Sequence, residues 1–244
     1  MTEWFEDWFN TKEYLNVYRH RNDEDAERLV NLILKNISLK RGADVVDLAC
    51  GPGRHSILFA ERGYNVTAVD LSENLLNVAR KTAENLGLTI DFVNADLRNF
   101  CITSKFDLAV NLFTSFGYFE SDEENFSLFS DACDLLNPEG YFVLDYFNAN
   151  YLRKRLVPHS EDIFNGNKII QDRRIIGDRV VKDIIIANNG TRKKFIESVR
   201  MYSDKELKAE IEKRGLKIYK TFGDSDGSKF DLNSSPRIII ISGK

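Results

Sequence analysis

Between residues 44 and 146 the chain alternates short apolar runs with amphipathic stretches, and nothing else in its 244 residues restricts the fold as much. The runs cover 44–49, 65–69, 89–93, 106–113 and 141–146, and helical spacing fills 54–62, 72–86 and 122–136 between them. Strand and helix in alternation over about a hundred residues build a parallel sheet with helices on both faces. Short, right-handed crossovers then select a doubly wound, Rossmann-like α/β fold.

The pattern changes after Tyr146. Three β-rich stretches, 168–176, 179–187 and 193–201, are joined by Gly177-Asp178 and by Asn188-Asn189-Gly190. Two-residue and Asn-Gly connections signal hairpins, so these stretches read as a three-stranded antiparallel meander. Ser203-Asp204-Lys205-Glu206 has the form of a capping box opening a helix to about Arg214, which Gly215 stops, and two strands, 216–222 and 237–242, close the chain. Ahead of the sheet, Leu15, Tyr18, Leu29, Leu32 and Ile33 recur at helical spacing among charges. The expected organisation is a helical N-terminal arm over 1–36, an α/β domain from 37–149 and 202–244, and an antiparallel β insertion over 150–201 placed to cover the carboxyl edge of the sheet.

The first apolar run ends in Asp47-Leu48-Ala49-Cys50-Gly51-Pro52-Gly53, directly before a helix. Two glycines let backbone N–H groups approach a ligand, and the helix N-terminus directs positive potential to the same place. Asp70 ends the next strand, where a carboxylate can accept both hydrogen bonds of an adenosine ribose. A nicotinamide or flavin fingerprint would need glycine at Ser56, so a dehydrogenase is disfavoured.

Charge narrows the partners. With 34 Lys and Arg against 38 Asp and Glu, the formal charge is −4, and no bulk positive field draws in nucleic acid or an anionic membrane. No apolar run approaches the roughly 18 residues of a membrane span. The acidic, aromatic start from Met1 to Phe9 lacks the order of a secretory signal, so an unprocessed cytoplasmic chain is expected. Cys50, Cys101 and Cys133 form no C-x-x-C pair, and His20, His55 and His159 have no metal-ligand spacing, so neither a disulfide nor a metal is expected. Asp224-Ser225-Asp226-Gly227 reads as an ordinary turn, because Ser235 stands where a calcium loop needs glutamate.

The glycine-turn segment resembles the first motif of the class I S-adenosylmethionine-dependent methyltransferases, and later segments follow that family's order. Asp70 matches the acid on the ribose. Asn94-Ala95-Asp96-Leu97 resembles the segment that brackets adenine, Phe106-Asp107-Leu108-Ala109-Val110-Asn111-Leu112 the fourth-strand motif, and Leu136-Asn137-Pro138-Glu139-Gly140 the loop into the fifth strand. The resemblance spans about 40–148 and the two closing strands. It implies a seven-stranded sheet with the last strand antiparallel, and S-adenosylmethionine held by Ala49, Gly51, Gly53, His55, Asp70, Leu71, Ala95, Asp96, Leu97, Asn111 and Leu112. For His55 two readings stay open, a polar helix-start residue or a residue facing the ligand. In similar methyltransferases an N-terminal arm folds over the cofactor, which puts Tyr14, Tyr18 and Arg19 forward, Arg19 to meet the methionine carboxylate. Asp47 is read as fixing the glycine loop through its N–H groups.

For the acceptor, Phe116 and Tyr118 follow the fourth strand and Tyr146 leaves the fifth, all at the carboxyl edge where doubly wound folds place ligands. No catalytic base is assigned. Asn111-Leu112-Phe113-Thr114 lacks the Pro-Pro of amino-directed base methyltransferases, and no cysteine follows a proline as in cytosine C5 enzymes. Arg153-Lys154-Arg155 and Arg192-Lys193-Lys194 read as solvated faces. The expected function is in-line methyl transfer to a small-molecule nitrogen or oxygen by a monomer or homodimer. The alternatives are an RNA or protein methyltransferase of the same fold, a non-catalytic adenosine-ligand binding module and, last, an NAD-type oxidoreductase.

Overall fold

The computed structural model describes residues 3–19, 23–188 and 190–244, so His20 and Asn189 lie outside the described residues. In strand β1 (Asp44–Leu48), Val45 enters one apolar core and Val46 another. The same division holds in β4 (Phe106–Asn111), where Leu108 and Val110 oppose Ala109, and in β5 (Leu136–Phe147), where Val143 opposes Phe142 and Leu144. Residues alternate across a strand, so a sheet apolar on both faces must be covered on both. Helices α3 (Asp23–Asn36) and α4 (Arg54–Glu61) cover one face through Leu29, Val30, Ile33 and Phe59. Helices α6 (Asp122–Leu135) and α8 (Asp204–Lys213) cover the other through Phe129, Ala132, Leu207 and Ile211.

With β2 (Asn65–Asp70), β3 (Ile90–Asn94), β10 (Lys217–Phe222) and β11 (Arg237–Gly243), the sheet order is β3-β2-β1-β4-β5-β11-β10. Strands β1 to β5 run parallel, and β11 runs antiparallel to both of its neighbours. The order reverses at β1, which lies between β2 and β4, so the crevice outside their carboxyl ends is the expected ligand position. Helix α5 (Glu73–Asn85) starts there, with the Ser72 hydroxyl accepting from the Leu75 N–H at 3.2 Å.

The insertion opens with α7 (Ala149–Arg155), capped by Asn148, and forms a separate four-stranded antiparallel sheet: β6 (His159–Phe164), β7 (Asn167–Ile176), β8 (Arg179–Asn188) and β9 (Thr191–Arg200). The expected meander has three strands; β6 is the addition. Its His-Ser-Glu-Asp start shows no alternation, because an edge strand mostly facing water is held by main-chain pairing alone. The Asn165-Gly166 turn before β7, with φ of 47° and 74°, was a readable hairpin signal.

The N-terminal residues divide between two jobs. Helices α1 (Trp4–Phe9) and α2 (Lys12–Val17) pack on the insertion sheet, where Trp8 and Val17 join Ile169, Ile184 and Ile186. Helix α3, grouped with the arm in the sequence reading, instead lies on the central sheet. Among the described residues no helix is long and apolar enough to cross a membrane.

Candidate active site

The carboxyl ends of β1, β2, β3 and β4 border a cleft of about 790 Å³, counting the solvent at its mouth. Ala49, Gly51 and Gly53 all adopt left-handed backbone, which folds the chain sharply between β1 and α4. The two glycines serve different ends. A Cβ on Gly53 would lie 2.7 Å from the Cβ of Ala79, so glycine there lets α4 approach α5, whereas a Cβ on Gly51 meets nothing within 4 Å and would enter the cleft.

Asp70 fixes the turn. Its carboxylate accepts from the Gly51 N–H at 2.7 Å and the Ser72 N–H at 2.8 Å, while its side chain is almost wholly buried. Burial raises its pKa to about 6 against the pull of those two donors. Asp47, expected to hold the glycine loop, accepts from the Ser56 hydroxyl at 2.6 Å instead and so ties β1 to α4. Burial raises it to about 7.

Beyond β3, Asp96 lines the cleft, and Arg98 folds back to clasp it with Nε at 3.0 Å and Nη2 at 2.6 Å. Burial works to raise the Asp96 pKa, but Arg98 outweighs it and the carboxyl stays below its ordinary range. Arg98 also reaches Glu3 at 2.7 Å and so ties the arm to the cleft. The arm supplies the roof through Phe5, Phe9 and Tyr14, with Tyr118 and Phe119 opposite.

Of the expected cofactor residues, Ala49, Gly51, Asp70, Leu71, Ala95, Asp96 and Leu97 line this one cleft. Gly53, His55, Asn111 and Leu112 stand behind it. His55 is buried beside Phe113 with Nε2 unpartnered among the described residues, and burial, then Arg54 and Arg237, lower its pKa to about 3, so it is neutral. Asn111 donates to the Leu48 and Ser115 carbonyls, which joins the ends of β1 and β4, and leaves its Oδ1 buried without a partner among the described residues. Leu112 is in the core. Tyr18 and Arg19 are not brought to the cleft: Tyr18 bonds to Glu197 on β9, and Arg19 pairs with Asp162 at 2.5 Å over the Phe164 ring. Both are drawn away because α2 docks on the insertion sheet.

Of the expected acceptor-wall residues, Phe116 lines the first cleft instead, stacked on Phe129 at 4.9 Å. Tyr146 lines neither cavity. It is fully buried and its hydroxyl donates to the Arg200 carbonyl, a core position on the inward face of β5. Only Tyr118 faces a second cavity, of about 880 Å³ counting the solvent at its mouth, bordered by the arm, the turn after β4, α7 and the insertion sheet.

The turn after β4 is strained. Phe113 and Thr114 have φ of 63° and 64°, costly for residues with a Cβ. Buried Asp145 holds them there: it accepts the Phe113 N–H at 2.9 Å, its carbonyl accepts the Thr114 N–H at 2.9 Å, and Arg237 locks it at 2.5 Å. Both residues thereby enter the wall of the second cavity. That cavity also holds Arg173, Lys182 and Glu197, none of which sequence reasoning singled out, since their meeting depends on the pairing of β7, β8 and β9.

The glycine cradle that stays open at Gly51, the acid at the end of β2 and the second acid after β3 suit an adenosine ligand with a hydroxylated ribose. Residues 45–140 match the family model described as "Methyltransferase domain". An S-adenosylmethionine-dependent methyltransferase from Clostridium acetobutylicum superposes with a TM-score of 0.82 at 20% identity, over 95% of this chain and 97% of that one. Residues 45–140 therefore carry a methyltransferase domain, and the chain has the fold of solved S-adenosylmethionine-dependent methyltransferases. Its curated relatives include the ubiquinone biosynthesis O-methyltransferase of Actinobacillus pleuropneumoniae serotype 7 (strain AP76), 34% identical over 48% of this chain and 50% of that protein. A second is the dTDP-3-amino-3,4,6-trideoxy-alpha-D-glucopyranose N,N-dimethyltransferase of Streptomyces venezuelae, 30% identical over 42% of each chain. The chain spans about half the length of the curated relatives it matches.

Proposed function

We propose that this protein methylates a small molecule at nitrogen or oxygen, using S-adenosylmethionine in the cleft and binding the acceptor in the second cavity. The observation that supports this most is that the two cavities share Phe9, Tyr14 and Tyr118, so a ligand in each would meet at one aromatic wall. The relatives named for O- and N-methylation agree with either acceptor atom. A pocket bordered by the arm, α7 and the insertion sheet favours a small molecule over a polymer.

The bound cofactor would supply an electrophilic methyl group. The protein's own part is alignment and exclusion of water. Asp70 would take the ribose hydroxyls and Asp96 the adenine end, and Gly51 leaves room for the methionine chain on the far side of the ribose. The rings of Phe5, Phe9 and Tyr14 on the arm would cover part of the bound cofactor. An amine acceptor needs only to arrive neutral, and no base is assigned for a hydroxyl.

Calorimetry with S-adenosylmethionine and with NAD tests the cofactor, and release of S-adenosylhomocysteine from metabolite pools, paired with gain of one methyl group in a metabolite, tests the reaction. Tight NAD binding without S-adenosylmethionine binding would overturn the proposal. Cofactor binding without turnover on any pool would leave the binding-module alternative.

A further inference from the structure

Three charged side chains cross the cavity-facing side of the insertion sheet in one row. Arg173 on β7 stands directly opposite Lys182 on β8, and Lys182 directly opposite Glu197 on β9, and all three line the acceptor cavity. Like charges placed directly opposite in an antiparallel pair destabilise it. Glu197 compensates Lys182, pairing with it at 2.5 Å while accepting from the Trp8 indole at 2.7 Å and from the Tyr18 hydroxyl, and this leaves the Arg173 charge unbalanced.

Arg173 has only neutral partners among the described residues, the Ser160 hydroxyl at 3.0 Å, the Gln171 amide oxygen at 2.9 Å and the Val157 carbonyl at 3.5 Å. These hold the guanidinium in place without cancelling its charge. Asp172 and Asp183, the nearest acids along β7 and β8, alternate onto the opposite face, where they pair with His159 and Arg174. Asp162 is taken by Arg19. In the wall of the same cavity, the Trp4 indole N–H is buried without a partner among the described residues. The cavity thus presents two cations and a spare donor against one anion that is already satisfied.

We infer that Arg173, with Lys182 beside it, is an anion subsite, and that the acceptor bears a carboxylate or phosphate group held there while its nitrogen or oxygen points to the shared wall at Tyr118. The assignment of this cavity to the acceptor rests on the proposed function. A guanidinium fork suits either oxyanion.

Binding to the whole chain tests the subsite without turnover, since both tryptophans of the protein, Trp4 and Trp8, report on this region. Tryptophan emission is titrated with phenyl phosphate, with benzoate and with neutral benzyl alcohol. At least one anion should bind more tightly than benzyl alcohol, and which one does separates phosphate from carboxylate. Arg173→Met should weaken that anion about tenfold to a hundredfold and leave benzyl alcohol unchanged, and Arg173→Lys should retain part of the gain. Calorimetry with S-adenosylmethionine on Arg173→Met, expected to match the unmutated protein, shows that the variant is folded. Equal binding of anions and benzyl alcohol, or anion binding unchanged in Arg173→Met, would overturn the subsite. Failure to bind S-adenosylmethionine would instead overturn the proposed function and leave an anion site standing.

Discussion

The cleft proposed for the cofactor takes most of its walls from the ends of four neighbouring strands, whereas the cavity proposed for the acceptor is built by contacts such as Trp8 to Glu197, 189 positions apart. The first is acidic at Asp70 and Asp96, and the second presents Arg173 and Lys182. A cavity of the first kind is fixed by strand–turn–helix chemistry that each segment carries for itself. The second exists only once the arm and the insertion sheet have found each other, so the two should fail in different ways.

The largest effect should come from the joint that builds the second cavity. Glu197→Ala leaves the Lys182 charge, the Tyr18 hydroxyl and the Trp8 indole without their shared partner. Breaking a buried pair this way costs about 3–5 kcal/mol, measurable by denaturant unfolding. Proteolysis should then cut in the arm before the central sheet. A loss below about 1 kcal/mol would mean that Glu197 does not join the arm to the insertion.

The glycine turn gives the next largest effect. Gly53→Ala combines a left-handed alanine with a collision against Ala79, for a loss of about 2–4 kcal/mol in stability. Gly51→Ala meets no protein atom and should cost about 1–2 kcal/mol through its φ of 57° alone, yet it should impair S-adenosylmethionine binding more than Gly53→Ala does. Thermal unfolding and calorimetry on the pair read both quantities. Equal effects of the two variants on binding would remove the distinction between a packing glycine and a cradle glycine.

This difference in construction also decides what the sequence disclosed. The alternating runs, Gly51, Asp70 and Asp96 are legible because each is dictated within a few residues of itself, by a turn that needs left-handed backbone or by a strand end. The family resemblance directs Tyr18 and Arg19 toward the cofactor, but α2 docks on the insertion sheet through Val17, and nothing near Tyr18 in the chain announces Glu197. Tyr146 was read as a wall because it ends a strand, yet strand parity turns it into the core. Strand β6 was missed for want of alternation. The paired charges of Arg173, Lys182 and Glu197 come from register, which a single strand's composition does not encode.

A smaller effect should appear in binding at the first cavity. Asp70→Asn removes the charge that would accept the ribose hydroxyls, and S-adenosylmethionine affinity should fall by about 1.5–3 kcal/mol, as for hydrogen bonds to a charged group. Calorimetry on this variant and on Arg173→Met sharpens the contrast between the cavities, because only the former should lose cofactor. Unchanged affinity would remove Asp70 from the cofactor site.

The same substitution should act in the opposite direction on stability. Asp70 has its pKa raised to about 6 by burial, from 3.8 for an ordinary aspartate, so between those values the folded protein keeps a proton that the unfolded chain has released. Stability from this group therefore falls as pH rises through that window, and above about pH 6 the full penalty is present. His55, lowered to about 3 from 6.5, works the other way, because there the unfolded chain holds the extra proton and stability rises with pH. Subtracting the curve of the unmutated protein from that of Asp70→Asn cancels the histidine and isolates the aspartate. The two N–H bonds that a carboxylate accepts better than an amide offset part of the gain, so Asp70→Asn should be more stable by about 1–2 kcal/mol above pH 6.5. The advantage should vanish below about pH 4, where Asp70 is protonated in both states. Unfolding midpoints across this range test it, and a difference that does not change with pH would show that Asp70 is ionised throughout. The acid that would bind the cofactor would then carry no penalty for its burial.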